Sequence, residues 1–159
     1  MRSAADKQPD SVQGMSGEVL VFRVRTQEFC VDVSRVKEIR GWTAATLLPH
    51  SPPYLLGVIN LRGTVLPIVD VAARLNFPVG APSHHPVIVV VWIETKQIGL
   101  LVDAVCDILE INENALQPTP QLSSATVQDL VTALVSADDR MIGLLALDRI
   151  LPRLEDGIV

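Results

Sequence analysis

Aromatic residues are scarce in this chain: 159 residues hold two Trp, one Tyr and three Phe. Basic residues are outnumbered, 13 Lys and Arg against 18 Asp and Glu, for a formal net charge of −5. A nucleic-acid platform wants a basic stripe and often stacking aromatics, so the two shortages together argue against that class. Cysteine is limited to Cys30 and Cys106, far apart and in apolar surroundings. They read as small buried residues of a reducing compartment, not as a disulfide framework. The histidines are equally few. His84-His85 has no Cys, Asp or Glu beside it, and a closed zinc site needs four ligands. His50 lies in a proline-rich stretch. No phosphate-cradling glycine loop occurs, and no glycine-rich elbow or paired acid surrounds Cys106. The expectation is no catalytic residue, no metal and no cofactor.

Long apolar runs able to cross a membrane are missing too. The longest span free of Asp, Glu, Lys and Arg, from Gly41 to Leu61, is interrupted by Pro49, Pro52 and Pro53. Prolines there break a helix. The first ten residues offer no apolar core for a signal peptide. The expected location is cytoplasmic, with no membrane insertion. A chain of this length can bury roughly 68–70% of its unfolded surface and needs no staples to fold.

What is present is a succession of short strands. Residues 1–17 are polar and small and are expected to form a disordered tail. From Glu18, Leu20, Phe22 and Val24 alternate with Arg23 and Arg25, and Phe29, Val31 and Val33 return on a second strand. Ser34 is expected to cap a helical turn containing Val36 and Ile39. Tyr54 to Asp70 reads as a hairpin whose turn, Asn60-Leu61-Arg62-Gly63, displays an arginine at its tip. Pro67 lacks an N–H, which calls for a bulge or an edge there. Asp70 is placed to cap a short helix, Val71 to Leu75, stopped by Pro78 and Gly80. Residues 78–86 form a linker. Val87 to Ile93, Gln97 to Val102 and a strand near Leu109 to Ile111 follow. Pro118 and Pro120 sit in a connector before a hairpin, Leu130 to Leu147, turning at Asp138-Asp139-Arg140. Asp148 is expected to cap a last short helix.

Thr26 to Ile39 overlays Thr95 to Ile108 at a constant offset of 69. The overlay matches Val36 with Val105, Glu38 with Asp107 and Ile39 with Ile108. The later hairpins match more loosely, Asp70 falling opposite Asp148. Two copies of one supersecondary unit follow, each of about five strands. The fold class is therefore all-β with a few short helices: two five-stranded barrel subdomains around a shared core. The divisions are a first barrel at 18–77, the linker, a second barrel at 87–147 and a C-terminal helix at 148–159 returning to the first barrel. A groove at their junction is a natural partner site. Val36, Ile39, Val105 and Ile108, ringed by Lys37, Glu38, Arg62 and Asp107, have the anatomy of an interaction patch, with core packing as the other reading.

These residues resemble the CheW family of chemotaxis coupling proteins, over about residues 17–153. The resemblance rests on Val36-Lys37-Glu38-Ile39-Arg40, on Gly57-Val58-Ile59-Asn60-Leu61-Arg62-Gly63 with Pro67-Ile68-Val69-Asp70, on Gly99-Leu100-Leu101-Val102-Asp103-Ala104-Val105, and on Pro118-x-Pro120. It implies SH3-like barrels and no catalysis. It implies an adaptor between the cytoplasmic tips of methyl-accepting chemotaxis receptors and the regulatory domain of a CheA-type histidine kinase, monomeric alone and joining rings in arrays at the membrane. By position it implies receptor binding by Val36, Glu38, Arg62, Val105 and Ile108, with Gly57, Gly63 and Gly99 keeping groove backbone open. Kinase and ring contacts would use Gln117, Gln121 and Leu122, where well-studied members carry a basic and an aromatic residue. A coupling protein for pili, surface behaviour or development fits the same residues. A ligand- or oligonucleotide-binding barrel is the reading from another class.

Overall fold

Alternating apolar side chains build eleven strands in the computed structural model, which describes residues 15–78, 80, 85–120 and 125–151. Strands β1 (Glu18–Val24) and β2 (Gln27–Asp32) form the first hairpin, followed by β3 (Val36–Gly41). Strands β4 (Leu55–Leu61) and β5 (Thr64–Asp70) form the second, and α1 (Val71–Arg74) follows. The second half repeats the order: β6 (Val87–Ile93), β7 (Lys96–Val102) and β8 (Ala104–Glu110), then the short β9 (Leu116–Gln117) and α2 (Ala125–Leu130), then β10 (Val131–Ala137) and β11 (Arg140–Leu145).

The hydrogen bonds do not follow the two halves. One sheet runs β8-β1-β2-β11-β10-β9, the other β3-β6-β7-β5-β4. Each sheet takes its first hairpin from one copy and its third strand and second hairpin from the other. The division into a first barrel at 18–77 and a second at 87–147 is therefore corrected: both sheets contain strands from both halves. The exchange is reciprocal in register. Ile68 pairs in parallel with Gly99, and Leu144 pairs in parallel with Cys30. The reason is packing. Strands such as Val19-Leu20-Val21-Phe22 are apolar on both faces, so each must be covered on both sides.

Three apolar clusters result. Val19, Val21, Cys30, Ala133, Val135, Ile142 and Leu144 fill the six-stranded sheet. Ile59, Leu61, Leu66, Ile68, Ile88 and Val90 fill the five-stranded sheet. The largest cluster, with Leu20, Phe22, Val31, Val69, Val89, Leu100 and Leu145 among its members, lies between the sheets. The end of the described chain returns to α1: Arg74 Nε donates to the Ile150 carbonyl at 2.6 Å and its Nη2 to the Arg149 carbonyl at 2.9 Å.

Local expectations held where the chemistry is local. Asp70 accepts from the Ala72 and Ala73 amides and caps α1. Pro67 lies in an interior strand, yet at that point β5 pairs only with β4; its parallel contact with β7 begins at Ile68. Three expectations are corrected. Asp32, not Ser34, caps the 3-10 turn Val33–Arg35, and Val36 and Ile39 belong to a strand because β6 offers them a ladder. Asp148 caps nothing; its carboxylate is drawn 3.0 Å from the Arg35 guanidinium. Helix α2 precedes the last hairpin, where no helix was expected.

Candidate functional site

Strands β3 and β8 carry most of the residues singled out from sequence, and both contain the same irregularity. In β3 the register slips between Val36, opposite Val91, and Glu38, opposite Val90, leaving Lys37 as the extra residue. In β8 it slips between Val105, opposite Phe22, and Asp107, opposite Val21, leaving Cys106 extra. Directly opposed residues share a face of a sheet. Val36 and Ile39 therefore share the face of Val91 and Val89, which look into the central cluster. Val105 and Ile108 likewise share the face of Phe22 and Leu20. A bulge re-aims side chains, and here it turns Glu38 and Asp107 to the opposite face.

The two apolar pairs are graded in exposure. Val36 and Val105 are half-buried against the central cluster. Ile39 and Ile108 stand at its margin, 47% and 55% exposed. The structure thus sets Val36 and Val105 against the central cluster and leaves Ile39 and Ile108 exposed on the same faces of their strands.

The charged residues lie on the other side of the bulge. Arg62 occupies the β4–β5 turn with φ 52°, next to Gly63 with φ 86°, the pair of positive values a tight hairpin requires. Asn60 Oδ1 accepts from the Gly63 amide at 2.9 Å and fixes the turn. The Arg62 Nη2 donates to Glu38 Oε1, and Glu38 Oε2 lies 3.7 Å from the Arg40 guanidinium. The turn of the second copy has the same backbone, with Asp138 and Asp139 at φ 50° and 65°. Arg140, which opens β11 after that turn, binds Asp107 at 3.2 Å and 3.3 Å and Glu28 at 3.0 Å and 2.9 Å. Those hydrogen bonds, that to Glu28 first, raise the guanidinium's pKa further. Arg140 also lines a cleft of about 550 Å³ with Arg23, Glu28, Phe29, Pro120 and Met141. Nothing in the spacing announced this cleft; it forms where the β1–β2 hairpin, the Thr119-Pro120 connector and strands β10 and β11 meet.

Two of the three glycine assignments are corrected. Gly99 is buried, and a Cβ there would come within 2.6 Å of Ile68 Cδ1 and 2.9 Å of Ile88 Cγ2, so it serves packing and not an open groove. Gly57, at φ +146°, backs onto the Thr46 carbonyl across the Thr46–Val58 bridge. Gly63 alone faces open space. Gln117 is exposed at the sheet edge on β9, paired to Leu134. Gln121, Leu122 and His84 lie outside the described residues.

Burial pushes the Cys30 thiol up to about 12. Cys106 is exposed, and its thiol is also raised, first by partial desolvation and then by the Glu28 carboxylate. Among the described residues no cluster of His, Cys, Asp and Glu is placed to hold a metal ion. No helix among them is long and apolar enough to cross a membrane.

Comparison with known proteins gives a consistent neighbourhood. Residues 18–155 match the sequence model of the CheW-like domain. A probable chemotaxis protein CheW of Rhizobium etli is 49% identical over 138 residues, 87% of this chain and 89% of that protein. Chemotaxis protein CheW of Rhizobium meliloti is 48% identical over 135 residues, 85% of this chain and 87% of that protein. In structure, the scaffolding protein TtCheW of Thermoanaerobacter tengcongensis is similar at a TM-score of 0.80 and 28% identity, over 87% of this chain and 94% of that one.

Proposed function

This chain belongs to the family of CheW-like domains, and on that premise we propose that it is a non-catalytic chemotaxis adaptor joining chemoreceptor tips to the regulatory domain of a CheA-type histidine kinase. The observation that carries this reading is the repeated bulge. It leaves Ile39 and Ile108 exposed beside half-buried Val36 and Val105, an apolar margin flanked by fixed charge. A receptor helix hairpin laid along the junction would cover that margin, and burial of apolar area would supply most of the affinity. Receptor contacts are assigned to Val36, Glu38, Arg62, Val105 and Ile108, with Gly63 allowing close approach beside Arg62.

The kinase side is assigned to Gln117, at the far edge of the six-stranded sheet from β8, together with Gln121 and Leu122, which follow it in the sequence. An adaptor needs two separate faces because it must hold both partners at once. Through the receptors it is recruited to arrays at the membrane and joins their rings.

Co-sedimentation with receptor fragments and the kinase, scored by the rate of kinase phosphorylation, tests the proposal. The expected result is that all three proteins pellet together and the kinase accelerates only when this chain is added. A kinase that pellets and accelerates equally without it would overturn the reading.

A further inference from the structure

Arg140, at the start of β11, holds two carboxylates on strands that are not neighbours: β1 lies between β2 and β8 in the six-stranded sheet. Its Nε and Nη2 reach Glu28, on β2, which together with Arg140 itself walls the cleft. Its Nη1 and Nη2 reach Asp107, on β8, between Val105 and Ile108. Asp107 does not line the cleft. One planar guanidinium therefore spans from the end of the six-stranded sheet to the strand that carries half of the apolar junction margin. Both carboxylates draw on the same set of N–H donors, so a partner group that engages Arg140 or Glu28 changes what Asp107 receives.

The geometry points to Arg140 as a positioning residue that couples the cleft to the junction face of β8. The inference rests on the two-partner reading above, and it adds that the partners sense each other through this chain. The cleft lies beside the connector of Thr119 and Pro120, next to the segment assigned to the kinase side. A partner seated there redistributes the Arg140 hydrogen bonds. The bulge at Cys106 then shifts relative to β1, and the exposure of Ile108 and Val105 shifts with it. By thermodynamic reciprocity, a receptor fragment on β8 must change kinase affinity by the same factor.

The full-length chain provides the test. The affinity of a receptor-tip fragment is measured with and without a saturating kinase regulatory domain, for the unaltered chain, Asp107→Asn and Arg140→Lys. Asp107→Asn removes the charge on β8 and leaves the cleft walls intact; Arg140→Lys keeps a charge but cannot fork to both carboxylates. The unaltered chain is expected to show a shift of about fivefold or more. The shift is read as the ratio of receptor affinities with and without the kinase domain, so it is independent of any change in basal affinity: Asp107→Asn should bring that ratio close to unity, and Arg140→Lys should reduce it. A shift that persists in Asp107→Asn overturns the proposal, and so does the absence of a shift in an unaltered chain that binds both partners. An unaltered chain that binds neither partner overturns the adaptor reading itself, a separate failure seen before any variant is made.

Discussion

Arg62 and Glu38 join the two opposite edges of the five-stranded sheet. Glu38 lies on edge strand β3, and Arg62 follows edge strand β4. In a flat sheet four strand spacings would separate those edges by about 19 Å, far beyond an ion pair. The contact therefore requires the sheet to curl over its own apolar cluster. In the other sheet Arg140 makes a similar reach, from interior strand β11 past β2 and β1 to Asp107 on edge strand β8. Arg62 stands in its hairpin's turn and Arg140 opens the strand after the corresponding turn, and in each case the carboxylate comes from the bulged third strand.

The Arg62 side chain is 63% exposed, and exposed ion pairs contribute little to stability. Arg62→Ala is expected to lower stability by about 1 kcal/mol or less. Receptor pull-down and kinase stimulation should fall clearly. Thermal unfolding and the two binding assays separate these effects; full activity in the variant would remove Arg62 from the contact surface.

Ile108 and Val36 should respond differently to the same change. Ile108→Glu places a charge on an exposed margin, so the unfolding temperature is expected to stay nearly constant while receptor binding is lost. Val36→Glu pushes a carboxylate against the central cluster and should cost about 2 kcal/mol or more. Unfolding curves recorded beside receptor pull-downs decide between the two. Equal destabilisation by both would show that β8 packs more tightly than its exposure indicates.

The three glycines form a graded series. Gly57→Ala combines a positive φ with a Cβ driven into the Thr46 backbone, and Gly99→Ala drives a Cβ into Ile68 and Ile88. Both are expected to destabilise by more than about 2 kcal/mol. Gly63→Ala meets open space and suffers only the strain of its φ, about 1 kcal/mol. Denaturant midpoints measure the order directly.

Thiol chemistry distinguishes the two cysteines. In the native protein a thiol reagent should label Cys106, while Cys30 should react only after unfolding. The fold favours the neutral Cys30 thiol, so its contribution to stability is complete below the ordinary value of 9.0. That contribution is lost as pH rises from there toward about 12. Unfolding midpoints should therefore fall in alkali, and the fall should be shallower in Cys30→Ala.

Much of the fold was legible because it depends on neighbours in the chain. Period-two alternation marked β1 and β2, and apolar runs bounded by turn residues marked β4 to β7, β10 and β11. Asn60 and Gly63 marked the Arg62 turn, because a tight hairpin needs positive φ and an amide partner at those positions. Asp70 was readable as a cap because its oxygen reaches amides two and three residues ahead. The same rule failed at Asp148, where Arg35, distant in sequence, competes successfully for the carboxylate. Ser34 failed as a cap because Asp32 reached the Ser34 amide first.

The sequence alone determined most of the strands, their turns and the internal repeat, since spacing and backbone preference act over a few residues. Only the tertiary structure decided which strands share a sheet. Val19 and Val21 face one cluster and Leu20 and Phe22 another, yet all four are apolar, so alternation carried no information about which partner covers which face. That choice is made by the combined burial of distant strands. It exchanges the first hairpins, β1–β2 and β6–β7, between the halves, positions both bulges and sets Arg62 against Glu38.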